Sequence, residues 1–266
     1  GEITSAAAPA EGAGSHALMA MHAIRFARRF GVAYVHTPFA GIRHADRPAR
    51  DWEAVWEAHF NLGEGEASAG PNAINYALAF PALHALFGYT GGYEAFDEAL
   101  LRDFRRKYRS NKPPRRNAIF PVCVHVRRRN AHDFHDDDSA DLQRLAKTLG
   151  HLRSLLDRRG TPYIVRIFSQ GDAAGLDALE VAGDALLLDG GPSVTMGELI
   201  EGDLLVITKG SFSYVSGLLC DNIVVADAHA FPPPLAHWQS YDSAGRLDIE
   251  ALDRHLTRAA RLEAGS

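Results

Sequence analysis

Residues 118–134 constrain this chain more than any other stretch. Ala118-Ile-Phe-Pro-Val-Cys-Val-His-Val-Arg127 is an apolar run that ends in a histidine and three consecutive arginines. The polar loop Arg128-Arg-Asn-Ala-His-Asp-Phe134 follows. A short, nearly continuous apolar run closed by polar residues reads as a fully buried strand of the kind found in parallel sheets. Such sheets place their ligands just past the carboxyl ends of their strands. His125, Arg127 and Arg128 therefore emerge where a ligand would lie, and an arginine fork matches a phosphate or diphosphate. The plainer alternative for a short arginine run is a solvated basic turn. The buried strand upstream weighs against it, because it fixes where Arg127 and Arg128 leave the sheet.

The remaining composition narrows the classes. At 266 residues, the chain has room for one large or two modest domains. A hydrophobic share of 46% and a charged share of 23% are those of an ordinary globular protein. The formal net charge of -5 argues against general nucleic-acid binding, so any basic patch is local. Cys123 and Cys220 both lie in apolar stretches and read as small buried hydrophobes; they supply no thiolate zinc site. No apolar run approaches the roughly 20 residues that span a bilayer, so no integral membrane segment is expected. The opening Gly1-Glu-Ile-Thr-Ser-Ala-Ala-Ala-Pro9 lacks the charged head and apolar block of a signal peptide. The expected location is cytoplasmic.

In chain order, Ile3 to Ala8 makes a first strand. Glu11-Gly-Ala-Gly14 then leads to Ser15 as N-cap of a helix over His16–Phe30. Met19, Ala23, Phe26 and Phe30 share one face of it, and Arg25, Arg28 and Arg29 suit its C-terminal end. Gly31 ends the helix and Val32–His36 is the next strand, completing a βαβ unit. Asp51 to about Gly88 reads as helical, with Trp52, Val55, Trp56 and Phe60 on one face. Pro71 is expected to open a second helix, which Pro81 kinks or breaks. Tyr93–Tyr108 carries Phe96, Leu100, Phe104 and Tyr108 at helical spacing. The basic, proline-bearing Asn111-Lys-Pro-Pro-Arg-Arg116 reads as a linker, which divides the chain into 1–114 and 115–266.

The second half alternates more cleanly. The acidic loop His135-Asp-Asp-Asp138 precedes a helix over Asp141–Arg159 whose buried stripe is Leu142, Leu145, Leu149, Leu152 and Leu156. Strands follow at Tyr163–Phe168, Asp184–Leu188, Leu204–Thr208 and, last, Asn222–Ala226, with helical segments between them and an amphipathic helix over Ile249–Leu262. Five apolar runs alternating with helices call for a doubly wound parallel sheet. Three of its exit loops belong together: His125/Arg127/Arg128, Ser169–Asp172, and Asp203 through Ser213. The arginines would neutralise a diphosphate, while Ser211, Ser213 and the amide of Gly210 at a helix start would donate to its oxygens. Asp172 would accept from a base or ribose hydroxyl. Asp172 and Ser211 are equally good N-caps, and Lys209-Gly210 equally a plain turn.

His125-Val-Arg-Arg128 after its strand, Phe168-Ser-Gln-Gly-Asp172, and Gly202-Asp-Leu-Leu-Val-Ile-Thr-Lys-Gly-Ser-Phe-Ser-Tyr-Val215 resemble three ordered motifs of one superfamily. It is the alpha-1,2/alpha-1,6 and protein-O-fucosyltransferase superfamily, including its nodulation-type members. The resemblance implies an α/β, GT-B-like fold of two Rossmann-like domains, 1–114 on the acceptor side and 115–266 binding the nucleotide sugar. It implies an inverting glycosyltransferase that takes GDP-fucose and needs no metal or other cofactor, with a glycan or small-molecule hydroxyl as acceptor. Arg127 would then grip the donor's beta-phosphate, and His125, Asp172, Asp203, Ser211 and Ser213 would line the GDP site. Glu11-Gly-Ala-Gly-Ser-His16 stands where the family has its N-terminal glycine loop, which assigns Gly14, Ser15 and His16 to the acceptor side. Tyr34-Val-His-Thr-Pro38 fits the family's next strand. The chain departs from the family in having Arg129-Asn130 after the motif, in Ser15-His16, and in its shorter length.

Transfer of a sugar requires stabilisation of the leaving diphosphate, which suits Arg127 and Arg128, and a base near the sugar carbon. The loop after the arginines offers Asp133, His132 and His135, of which Asp133 is favoured. Two other classes stay open on the residues alone. One is a metal-dependent phosphohydrolase using His132, Asp133, His135 and Asp136–Asp138 as ligands. The other is a non-catalytic nucleotide-sugar binder that keeps the arginines but lacks a base.

Overall fold

A computed structural model describes residues 1–6, 12–42, 51–86, 96–113, 115, 117–128 and 139–264. The chain divides into two compact units, Gly1–Pro114 and Arg115–Ser266. Each is an α/β structure built on a parallel sheet, an arrangement compatible with two Rossmann-like domains. No helix among the described residues is long and apolar enough to cross a membrane.

Unit 1 runs β1 (Glu2–Thr4), α1 (Ala13–Phe30), β2 (Ala33–His36), α2 (Trp52–Phe60), β3 (Ala67–Ser68), β4 (Ile74–Asn75), α3 (Tyr76–Leu86) and α4 (Glu98–Arg109). Its strands lie in the order β3-β2-β1-β4, all parallel. Ile3 packs with Ala23, Phe26 and Ala27 of α1 and with Tyr76, so the apolar stripe read from the sequence is the stripe that meets the sheet. Gly31 turns the chain out of α1 at φ 65°, a conformation that favours glycine. α1 starts three residues earlier than its hydroxyl suggested: Gly12 is the cap and Ser15 is the third helical residue, its amide donating to Gly12 O at 3.0 Å. Glycine caps a helix through its backbone alone, so the nearest serine is not a sure marker. Pro71 opens no helix. Two-residue strands occupy 67–68 and 74–75, and Asn75 starts α3, its Oδ1 accepting from Ala77 N at 3.1 Å and from Ala6 N at 3.0 Å. Pro81 lies inside α3 without ending it, on the exposed side of the helix.

Unit 2 runs β5 (Phe120–His125), α5 (Ser139–Arg159), β6 (Tyr163–Ser169), α6 (Asp177–Ala182), β7 (Ala185–Leu188), α7 (Pro192–Ile200), β8 (Leu204–Ile207), α8 (Ser211–Leu219), β9 (Ile223–Asp227), β10 (Gln239–Tyr241) and α9 (Ile249–Ala264). The order across the sheet is β10-β9-β8-β5-β6-β7 and every pairing is parallel. Counted within the unit this is 6-5-4-1-2-3, the doubly wound order in which the chain leaves β5 towards β6, then returns to its other side at β8. The gap between β5 and β8 is thus the switch point. One face of β5 (Val122, Val124, Val126) packs against Leu145, Leu149, Leu152 and Leu156 of α5. Burial of a leucine such as Leu149 at full coverage stabilises the fold by about 2–5 kcal/mol relative to alanine. The opposite face carries Cys123, close against Gly202, and His125. β10 was not anticipated: three residues after the proline-rich turn are too few to show an alternating pattern, yet Gln239, Ser240 and Tyr241 pair with Val225, Ala226 and Asp227. Trp238 is buried with its ring beside Tyr214, where Gly217 leaves the room it needs.

Candidate functional site

At the carboxyl edge of the unit 2 sheet a cavity of about 480 Å³ opens across the switch point. Val126, Arg127 and Arg128 reach it from the end of β5, Thr208 and Lys209 from β8, and Asp227, His229, Ala230 and Phe231 from β9. Asp141, Leu142, Arg144 and Leu145 come from the first turns of α5, Ala174–Leu176 from the loop after β6, and Tyr241 from β10. Its lining mixes apolar side chains with charged ones: Arg127, Arg128, Arg144 and Lys209, and the carboxylates Asp141 and Asp227. Among these described lining residues the cations exceed the carboxylates by two, a balance that suits an anionic ligand.

Arg127 owes its position to the buried residues around it. His125, the last residue of β5, turns away from the α5 face, and its Nδ1 lies 2.5 Å from Ser213 Oγ in the first turn of α8. Its ring rests against Phe212, with centroids 5.0 Å apart. Burial, helped by the nearby Arg127 charge, pulls its pKa down to about 3, so the imidazole is neutral. Thr208 completes the stitch, donating to His125 O at 3.1 Å and accepting from Arg127 N at 3.4 Å. The Arg127 guanidinium consequently passes over Gly210. A Cβ there would lie 2.7 Å from Nη1, and the backbone φ of 98° is itself one that side chains avoid. Glycine suits this position for its turn, and any side chain here would have to displace the arginine above it.

Arg128 takes a different path. Its Nη1 donates to the carbonyl of Asp172 and, more weakly at 3.5 Å, to that of Gln170, while Nη2 donates to Ala174 O at 3.0 Å. It clamps the loop after β6 and lines the cavity from that clamp. Asp172 sends its carboxylate outward, with 80% of the side chain exposed. Its Oδ1 accepts from Ala174 N at 3.1 Å and stands 3.5 Å from Arg128 Nη1. It shapes the turn and is not among the cavity-lining residues.

Arg144, Asp141 and Asp227, which also line the cavity, escaped the sequence reading. Arg144 Nη2 pairs with Asp141 and reaches Asp227 Oδ2 at 2.9 Å, and Lys209 Nζ lies 3.7 Å from Asp141. Asp227 Oδ1 also accepts from His229 N at 2.8 Å. Burial and the neighbouring Asp227 carboxylate push the Tyr241 phenol well above its ordinary range, so it stays protonated beside them. A signal for Asp227 was present, since it directly follows an expected strand and every such position faces the carboxyl edge. For Arg144 there was only its spacing of three from Asp141, which any exposed helical pair also shows.

Several expected site residues stand elsewhere. Asp203 precedes β8, at the amino edge of the sheet: its amide donates to Pro121 O, and Asn117 Nδ2 donates to its carboxylate at 3.2 Å. It does not join the cavity. Ser213 is fully buried against His125, and the Gly210 amide donates to Phe231 O at 3.2 Å, so both groups already have protein partners. Ser211 opens α8, next to Gly210. Gly14, Ser15 and His16 belong to the first turns of α1 in unit 1, where the His16 ring meets Phe39 edge-on at 5.8 Å. Asp133 and His135, with His132 and 136–138, lie outside the described residues. Among the described residues, no three His, Cys, Asp or Glu side chains group as a metal site. Cys123 and Cys220 are free and buried, and burial above all pushes the Cys123 thiol up to about 12.

Comparison of the chain with protein-family models, with curated proteins and with solved structures finds no match in any of the three.

Proposed function

We propose that unit 2 binds a nucleoside diphosphate sugar across its carboxyl edge and that the chain is a glycosyltransferase. The observation that carries this reading is Arg127, held over Gly210 at the switch point of a 3-2-1-4-5-6 sheet, on the rim of a cavity with a cationic surplus. Helices that cover both faces fix the strand ends, so the guanidinium is placed before a ligand arrives. Preorganised positive charge of this kind stabilises a leaving diphosphate. Arg128 contributes charge from its clamp on the loop after β6, Lys209 from the neighbouring β8 exit and Arg144 from the first turns of α5. His125 and Ser213 act one layer down, as the pair that sets the direction of Arg127.

The order of the three sequence motifs supports GDP-fucose as the donor and a hydroxyl-bearing glycan or small molecule as acceptor, transferred to with inversion. On that reading the base is sought at Asp133 or His135. The test is calorimetric titration of the full chain with GDP in the presence of a chelator. Binding is expected without added metal, and Arg127→Ala should abolish it. Binding that required a divalent metal would move the reading to a metal-dependent phosphohydrolase. No binding of GDP under either condition would end it.

A further inference from the structure

The cavity is not symmetric about its cations, and that asymmetry assigns its two ends. Adjacent strands are about 4.8 Å apart, so the β9 exit lies roughly 10 Å across the sheet from the β5 exit that carries Arg127. On the β6 side the described wall is Ala174, Gly175 and Leu176 with the clamped Arg128, and no carboxylate is among those lining residues. On the β9–β10 side stand a buried carboxylate, Asp227, and an aromatic ring, Phe231, 66% exposed at the rim. A carboxylate has about four acceptor positions. Asp227 gives one to Arg144 and one to the His229 amide, which fix its plane and leave acceptor capacity for hydroxyl groups. A fixed carboxylate and an exposed ring that line the same cavity are chemistry suited to a polyol. The acid accepts from hydroxyls while the ring covers the C–H face.

We infer that Asp227 and Phe231 form the subsite for the transferred sugar, with the nucleoside directed to the β6 side. This rests on the reading of unit 2 as a nucleoside diphosphate sugar site. Asp227 would accept bonds from sugar hydroxyls, and Arg144 is the positioning residue that holds it.

The experiment compares pyrophosphate, GDP and GDP-fucose by calorimetry on the wild-type chain, Asp227→Asn and Phe231→Ala. Asp227→Asn keeps the shape but gives up an acceptor oxygen and the charge. It should weaken GDP-fucose by roughly tenfold to a hundredfold, the effect of a lost hydrogen bond to a charged group, and leave GDP and pyrophosphate within about threefold. Phe231→Ala, at an exposed position that does not threaten folding, should weaken GDP-fucose alone by about threefold to tenfold. If Asp227→Asn weakened GDP as much as GDP-fucose while sparing pyrophosphate, the carboxylate would be reading the ribose, and the sugar assignment would be overturned. Equal loss of all three ligands would reduce Asp227 to a support for Arg144 and overturn it too. Wild-type protein that binds none of the three would remove the nucleotide reading itself, a result distinct from both.

Discussion

The two sheets put different chemistry at their strand exits, although both are parallel and covered by helices. In unit 1 the polar groups close on one another. Thr4 and Thr37 share a hydroxyl contact at 2.7 Å, and His36 lies between Glu57, 2.6 Å from Nε2, and the Tyr34 hydroxyl, 3.2 Å from Nδ1. Glu57 also accepts from the Phe39 amide at 3.0 Å. Burial opposes its ionisation, but the His36 and Phe39 bonds outweigh that and hold its carboxyl below the ordinary range. In unit 2 the exits carry long cations that outnumber the carboxylates among the described lining residues, and a cavity opens between. Short polar side chains satisfy each other and become core. At the unit 2 exits Arg128 is taken up by the carbonyls of the loop after β6, and the charged heads of Arg127, Arg128 and Lys209 still line a cavity.

The sharpest way to break that contrast is to remove one member from each exit. Arg127→Ala should cost at least about thirtyfold in GDP affinity, the loss expected when one partner of a charged, hydrogen-bonded pair is truncated. Its effect on thermal stability should be slight, because Arg127 is only partly buried. His36→Ala should do the opposite. It strands the Glu57 carboxylate and leaves a gap against Gly63, where a Cβ would already lie 2.5 Å from the ring, so about 2–4 kcal/mol of stability is lost with GDP affinity unchanged. Melting curves and calorimetry on both variants decide it. A His36→Ala protein that folds normally but no longer binds GDP would show that the closed network serves the ligand after all.

Acid should separate the units next. Burial above all, with nearby cations adding to it, lowers His22 and His59 of unit 1 to about 3, as it does His125 of unit 2. The unfolded chain protonates its histidines near pH 6.5 while the folded chain does not, so stability is full above that pH and falls as pH drops towards 3. Each histidine costs on the order of 2 kcal/mol at pH 5 relative to pH 7. Unit 1 carries two of these three and should lose amide-exchange protection at a higher pH than unit 2. Simultaneous loss would mean that the two units open together.

What the sequence made legible follows from the length of each signal. β5 and the leucine stripe of α5 were readable because burial on both faces of one element and on one face of the other wrote long apolar patterns. The same alternation led to a doubly wound sheet, and the arginine pair was found because it followed its most apolar strand. β3, β4 and β10 are two or three residues long and are specified by their neighbours, so no local pattern marked them. Asp203 misled because it shares a motif with Gly210, yet one precedes β8 and the other follows it. A strand of four residues is enough to send them to opposite edges. The Arg144–Asp227 contact joins residues 83 positions apart, a pairing that only the fold creates.

Gly210→Ala sharpens the account of how Arg127 is aimed. The substitution meets an unfavourable φ and a guanidinium 2.7 Å away, so it should cost about 1–3 kcal/mol of stability and push Arg127 aside. GDP affinity should fall by less than in Arg127→Ala, because the charge remains near the rim. A variant with wild-type affinity and stability would mean that the arginine samples other positions freely.

The smallest effect is expected at Asp172, and it matters because sequence reasoning placed this residue in contact with the nucleoside. Its side chain is largely solvent-exposed, and its ion pair with Arg128 is long at 3.5 Å, the kind worth between nothing and about 1 kcal/mol. The firmer hold on Arg128 comes from the carbonyls of Asp172 and Ala174, which Asp172→Ala keeps. The variant should therefore lose only the turn bond to Ala174 N, about 0.5–1 kcal/mol, and shift GDP affinity by less than about threefold. A tenfold loss for GDP with pyrophosphate unaffected would show the carboxylate swinging inward to the nucleoside. The β6 side would then carry a carboxylate of its own into the cavity, and the contrast between the two ends of the cavity would have to be redrawn.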